Sequence, residues 1–260
     1  MKEEFLLLLS DLQKLINQVV LIDYTIIILG GIFMSKQTKQ QLLHPKDPGS
    51  AITHFIGMVL IALGMLPLLW HTFIHSSHIE ISVFSMFIFC VSMFLLYAAS
   101  TSYHTFNLTK AINKRLKKCD HMMIFVMIAG SYTPVCLVVL GNHLGYTMCL
   151  IVWSIAILGI VLKACWVTCP KWFSSVIYIA MGWTCVFALA QIAAKLSTPA
   201  FIWLFAGGIC YTIGGIIYAL PMKNFNRKHK NFGTHEIFHV FVLLGSLCHY
   251  IMMYAFVAHI

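Results

Sequence analysis

The sequence predicts an all-α membrane protein, a bundle of seven transmembrane helices, on three observations. Of its 260 residues 60% are hydrophobic and only 10% charged, and the mean hydropathy is +0.87. That composition lies outside the range of soluble globular domains. The apolar residues gather in seven runs of roughly 20 residues, the length that crosses a hydrocarbon core of about 30 Å as a helix. Those runs are continuous rather than alternating, which disfavours a β-barrel.

The opening of the chain does not read as a secretory signal peptide, because Lys2 is followed at once by Glu3 and Glu4 and the apolar run 5–9 is too short for a signal core. Residues 1–43 form an N-terminal extension whose apolar part, 19–34, is short and broken by Asp23. It fits an eighth span, an interfacial helix or a translated upstream extension; the interfacial helix is favoured. Met34 opens a polar stretch and makes an alternative natural start. Residues 44–260 form the membrane domain, with spans expected at 51–70, 81–104, 119–140, 144–162, 172–194, 199–220 and 235–258. The connections are too short to fold separately, so the spans pack into one bundle. Small residues such as Gly207, Gly208, Gly214 and Gly215 permit close helix approach.

Lys and Arg in the connections set the orientation. The second connection carries Lys110, Lys114, Arg115, Lys117 and Lys118, the fourth Lys163 and Lys171, and the sixth Lys223, Arg227, Lys228 and Lys230, whereas the opposite connections hold only Lys195. The first set is therefore expected in the cytoplasm, with the N-terminus in, where Lys36, Lys39 and Lys46 agree, and the C-terminus out. The net charge of +9 is spent on these loops and on lipid headgroups, which excludes a nucleic-acid binder. Seven of the nine cysteines fall in apolar stretches and behave as small hydrophobes, so no disulfides are expected. Cys165 and Cys169 stand at helix-like spacing that would suit chelation, but incidental placement is favoured. The 14 methionines and 19 phenylalanines read as packing and lipid-facing residues.

The chemistry concentrates at one membrane depth. Residues 81–260 hold only two carboxylates, Asp120 and Glu236, each beside histidines at the end of a span. An intramembrane carboxylate is costly unless paired, hydrated or bound to a cation. His235 and His239 stand at i and i+4, one helical face that can hold one zinc ion. His104 ends the second span, Asp120 begins the third and His235 and His239 begin the seventh; by the charge count all three ends face the cytoplasm. Three imidazoles and one open position suit zinc, with His104, His235 and His239 as ligands. Asp120 then orients water or takes its proton. Ser100, one turn deeper than His104, is placed to hold a carboxylate, a water or a ring N–H. Glu236 completes an H-E-x-x-H string, so a second assignment of the base stays open. His71, His75 and His78 read as headgroup anchors or water-facing residues, His249 as a bundle histidine, and His54 and His121 as supporting residues near the site.

At these residues the chain resembles the hemolysin III family, the bacterial branch of the progestin and adipoQ receptor proteins. The resemblance rests on Ser100-Thr101-Ser102-Tyr103-His104, on Cys119-Asp120-His121 followed by Gly130-Ser131-Tyr132-Thr133-Pro134, on His235-Glu236-Ile237-Phe238-His239, and on the approach Ile52-Thr53-His54-Phe55-Ile56-Gly57. It covers about residues 44–260. It implies a seven-helix bundle with its N-terminus inside and a zinc ion near the cytoplasmic face on His104, His235 and His239, with Asp120 close by through water. It does not carry Glu236 over as a base. Distant relatives of similar pattern include alkaline ceramidases, and bacterial members carry a cytolysin name or a role in membrane homeostasis.

The leading functional expectation is a zinc-dependent hydrolase of a lipid amide or ester in the cell membrane, serving lipid homeostasis. A cytolytic channel is the alternative, weakened by the lack of a continuous polar stripe along any span. A non-catalytic, receptor-like protein with structural zinc is another, and an intramembrane protease is disfavoured because no carboxylate follows Glu236. The expected partners are membrane lipids, with no protein partner implied.

Overall fold

The structure, a computed structural model, describes residues 45–229 and 232–260. The expected interfacial helix at 19–34 and the extension 1–43 lie outside the described residues. Nine α-helices are described: α1 (Pro48–His75), α2 (Ile79–Thr105), α3 (Lys110–Pro134), α4 (His143–Cys165), α5 (Lys171–Gly182), α6 (Leu189–Lys195), α7 (Thr198–Ala219), α8 (Lys223–Lys228) and α9 (Thr234–Ala255). Together they supply seven segments long and apolar enough to cross a membrane. The third span is longer than its apolar core, because the basic stretch from Lys110 is helical and continuous with it, capped by the Thr109 hydroxyl.

The large apolar side chains that remain exposed, such as Leu63, Leu150, Leu158 and Phe187, stand on the faces that a bilayer would cover. The buried faces pack α1 on α2, α2 on α3, α3 on α4, α7 on α9 and α9 on α1, with α5 lodged between α3 and α7. Close approach follows small residues. A Cβ on Gly130 would stand 2.0 Å from the Ser92 hydroxyl oxygen, so α2 and α3 touch through a glycine. Gly207, Gly214 and Gly215 serve the same purpose against His249, Phe241 and Ile179. Gly208 does not: a Cβ there would meet nothing within 4 Å, and the residue instead lines a cavity.

The third and fifth spans depart from regular α-helix along their length. The third ends in a π-turn, Val135–Leu140, after Pro134, and stops at Gly141 with φ 55°, a left-handed conformation that glycine adopts freely. The fifth passes through a 3₁₀ stretch, Trp183–Ala188, between α5 and α6. Backbone groups released there need partners inside a bilayer. Tyr132 of α3 supplies both: its hydroxyl donates to the Gly182 carbonyl at 2.6 Å and accepts from the Cys185 amide at 2.8 Å. The Trp183 indole donates to the Thr212 hydroxyl at 2.9 Å, tying the same bend to α7. Lys163, counted as a loop charge in the sequence, is in fact buried, donating to the Cys169 sulfur at 3.0 Å and the Ser174 hydroxyl at 2.6 Å.

Candidate metal centre

The end of the bundle that carries the basic connections also gathers the three histidines that the sequence singles out as ligands. His104, in the last turn of α2, is 2% exposed; His235 and His239 lie in the first turns of α9, with His239 also 2% exposed. One ligand atom from each of the three rings falls within 4.8 Å of the others. The Nε2 atoms of His104 and His235 are 3.2 Å apart. Two nitrogens bound to one tetrahedral ion at 2.0–2.1 Å stand about 3.3 Å apart, so this spacing suits a shared cation.

Tautomers are set from behind the rings. A carboxylate only accepts, so His104 Nδ1–H donates to Asp47 Oδ2 at 2.9 Å and leaves Nε2 with its lone pair. Asp47 reaches this position because the segment before α1 is laced onto the end of α2: the Asp47 amide donates to the His104 carbonyl at 3.0 Å and the Lys46 amide to that of Thr105 at 3.4 Å. The His104 ring holds the Asp47 carboxyl below the ordinary carboxylate range, with Lys46 adding to the effect against partial burial. His239 Nδ1–H faces the Ser50 carbonyl and the Thr53 hydroxyl oxygen, both at 3.3 Å, which leaves its Nε2 free for a cation. His54 stacks on the His239 ring with centroids 3.6 Å apart and planes 4° from parallel, fixing its rotation. His235 Nδ1 is buried without a partner among the described residues.

The remaining sequence candidates divide. Asp120 is buried at the start of the apolar part of α3, where it shares a cavity wall with His54, His235 and His239. Its carboxylate lies 3.5 Å from His121 Nδ1, whose proton is given to the Lys117 carbonyl at 2.9 Å. Ser100 is fully buried one turn before His104, and its hydroxyl bonds neither carboxylate nor ring among the described residues. Glu236 is committed elsewhere. Its Oε2 accepts the Gly233 amide at 2.8 Å, capping α9, and its Oε1 accepts the Ser50 hydroxyl at 2.6 Å. The carboxylate of the H-E-x-x-H string is therefore a helix cap and not a free base. His249 donates Nε2–H to the Leu204 carbonyl at 3.2 Å, as a bundle histidine does.

Asp47 and Ser50 escaped the sequence reading, and Thr53 enters it only as part of the approach to the first span. The available signal was position: Asp47 directly precedes Pro48, the first residue of a span that starts at the same end as the histidines.

A cavity of about 160 Å³ opens from this centre between α3, α5, α7 and α9. Beyond Asp120 and the histidines its walls are mostly apolar, including Ile124, Ile128, Val135, Ile192, Phe201 and Leu204. From Asp120 to Val135 it follows α3 for about 22 Å at 1.5 Å per residue.

Fold and site together define a multi-pass helical membrane protein with a buried three-histidine centre able to hold a metal ion. The chain belongs to the Haemolysin-III related family, whose sequence profile matches residues 43–250. It is 35% identical over 211 residues to Hemolysin-3 of Bacillus cereus, covering 81% of this chain and 91% of that protein. It is 39% identical over 203 residues to the Hemolysin-3 homolog of Bacillus subtilis (strain 168), covering 77% and 89%. It is accordingly a cell-membrane protein.

Proposed function

We propose that this protein is a zinc-dependent hydrolase of a membrane lipid amide or ester, acting in lipid homeostasis from the cytoplasmic face, with its N-terminus in and C-terminus out. The carrying observation is the cavity: an apolar channel long enough for an acyl chain ends against Asp120, His235 and His239. His104, His235 and His239 would hold the ion, since three neutral imidazoles leave a fourth position open. Zinc in an open site supplies Lewis-acid polarisation of a carbonyl and acidifies water to a pKa of about 7. The protein's own residues supply the rest. The apolar walls hold the acyl chain and exclude bulk water, so the scissile carbonyl is presented at the histidine end. Asp120 takes the proton of the attacking water and returns it to the leaving amine or alcohol. The Ser100 hydroxyl, buried and free to donate, orients that water or the carbonyl oxygen.

A cytolytic channel, which the relatives' printed name suggests, fits less well, because conduction needs a polar lining and these walls are apolar. The test is zinc content and fatty-acid release from long-chain lipid amides and esters by detergent-purified protein, beside His239→Ala. Zinc near one equivalent and product release that the substitution abolishes are expected. Release unchanged by His239→Ala would overturn the hydrolase, and zinc bound with a fourth protein ligand and no turnover would make the metal a clamp.

A further inference from the structure

The opposite end of the bundle carries a second histidine cluster. His71 and His75 stand one turn apart at the end of α1, and His259 follows α9 in a short 3₁₀ turn, Val257–His259. One ligand atom from each lies within 4.8 Å of the others, and the Nε2 atoms of His71 and His259 are 3.2 Å apart. That is again the edge of a tetrahedron around an ion about 2.0–2.1 Å from each nitrogen. From His54, beside the first centre, to His71 the rise along α1 is about 25 Å, so the two clusters cannot share an ion.

The rings are held in place. His75 Nδ1–H donates to the His71 carbonyl at 2.9 Å, which leaves its Nε2 lone pair free. His71 stacks on Tyr254 with centroids 4.4 Å apart and planes 13° from parallel. His259 is aimed by its neighbours: Val257 and Ala258 are fully buried, and the amide and hydroxyl of Ser77 both donate to the Ile260 carbonyl, at 3.3 and 2.6 Å. Three flexible surface rings would not converge on one point without such restraint.

The geometry points to a second metal site, formed by His71, His75 and His259, that takes a divalent transition-metal ion of the zinc and copper type from the solvent opposite the first centre. Imidazole nitrogen selects these ions over magnesium and calcium, which prefer oxygen. His75 and His259 are exposed, so the ion keeps water in its remaining positions and exchanges readily. It clips the segment after α9 to the end of α1, complementing the Ser77 contacts.

Full-length protein in detergent, stripped with EDTA and titrated with Zn²⁺, should take up two equivalents, and His75→Ala or His259→Ala should remove one. The same loss should appear in a His104→Ala/His239→Ala background, which lacks the first centre, so failure of either site is read separately. Cu²⁺ added to that background should give an electron paramagnetic resonance spectrum split by imidazole nitrogens, lost in His259→Ala. The exposed positions of His75 and His259 keep these variants folded even if the double background is not. Stoichiometry unchanged by His75→Ala and His259→Ala in the parent protein would overturn the site, leaving a ring-to-ring N–H···N bond between His71 and His259.

Discussion

Asp47→Ala tests whether the first centre is tuned from behind its ligands. The carboxylate accepts the Nδ1–H of His104 at 2.9 Å, which fixes the ring's rotation and tautomer and makes Nε2 a better donor. Loss of such a partner typically weakens metal binding 10- to 100-fold. The Asp47 side chain is 40% exposed, so solvent screens its charge and water can replace part of the bond; the lower end of the range applies. We expect zinc affinity to fall about 10-fold, or about 1.4 kcal/mol. Asp47→Asn keeps an acceptor for Nδ1–H without the charge and should lose less. The assay is competition for Zn²⁺ with a chromophoric chelator in detergent, with His104→Ala as the reference for a lost ligand. Affinity within twofold of the parent for Asp47→Ala, while His104→Ala is strongly impaired, would refute the role assigned to this contact.

Glu236→Gln should leave lipid hydrolysis largely intact, because the amide oxygen can still accept the Gly233 amide and the NH₂ can donate to Ser50, whereas Asp120→Asn should abolish it; fatty-acid release by mass spectrometry separates the two. Tyr132→Phe strips the hydroxyl from two backbone groups at the bend of the fifth span. With membrane hydrogen bonds worth about 0.6 and at most about 1.7 kcal/mol each, a loss of about 1–3 kcal/mol is expected in denaturation by SDS. Gly130→Ala places a methyl group against Ser92 and should cost about 1–3 kcal/mol, and Ser92→Gly in the same chain should recover most of it in the same assay. If the double variant is no more stable than Gly130→Ala, the α2–α3 contact is not where the strain falls.

The spans and one side of the candidate metal centre were legible because both are written in local periodicity. Apolar runs give the helices, i and i+4 spacing pairs His235 with His239, and the alternation of loop charges predicted that His104 and Asp120 share their depth. Features set by the phase of one helix against another were not legible. Gly207 and Gly208 are adjacent and about 100° apart around α7, yet one meets His249 and the other the cavity, a difference fixed only by the packing of α9 and α5. Asp47 depends on backbone pairing of a short non-helical segment with the end of α2, which no periodicity encodes.

The H-E-x-x-H string shows how a local pattern misleads when its context is missing. Read alone, Glu236 has the spacing of a catalytic base between two ligands. A residue three positions into a helix also has the spacing of a cap: Glu236 accepts the amide of Gly233, the residue just before α9, while Asn226 Oδ1 takes the Thr234 amide, the first of the helix. Ser50 then takes the second oxygen of Glu236, and the same serine's carbonyl faces His239 Nδ1. The glutamate thus contributes to the centre by positioning: it fixes the start of α9 and the α1 residue behind His239. In the hydrolysis proposed above, the proton-handling role is given to Asp120, the carboxylate that faces the cavity with His235 and His239.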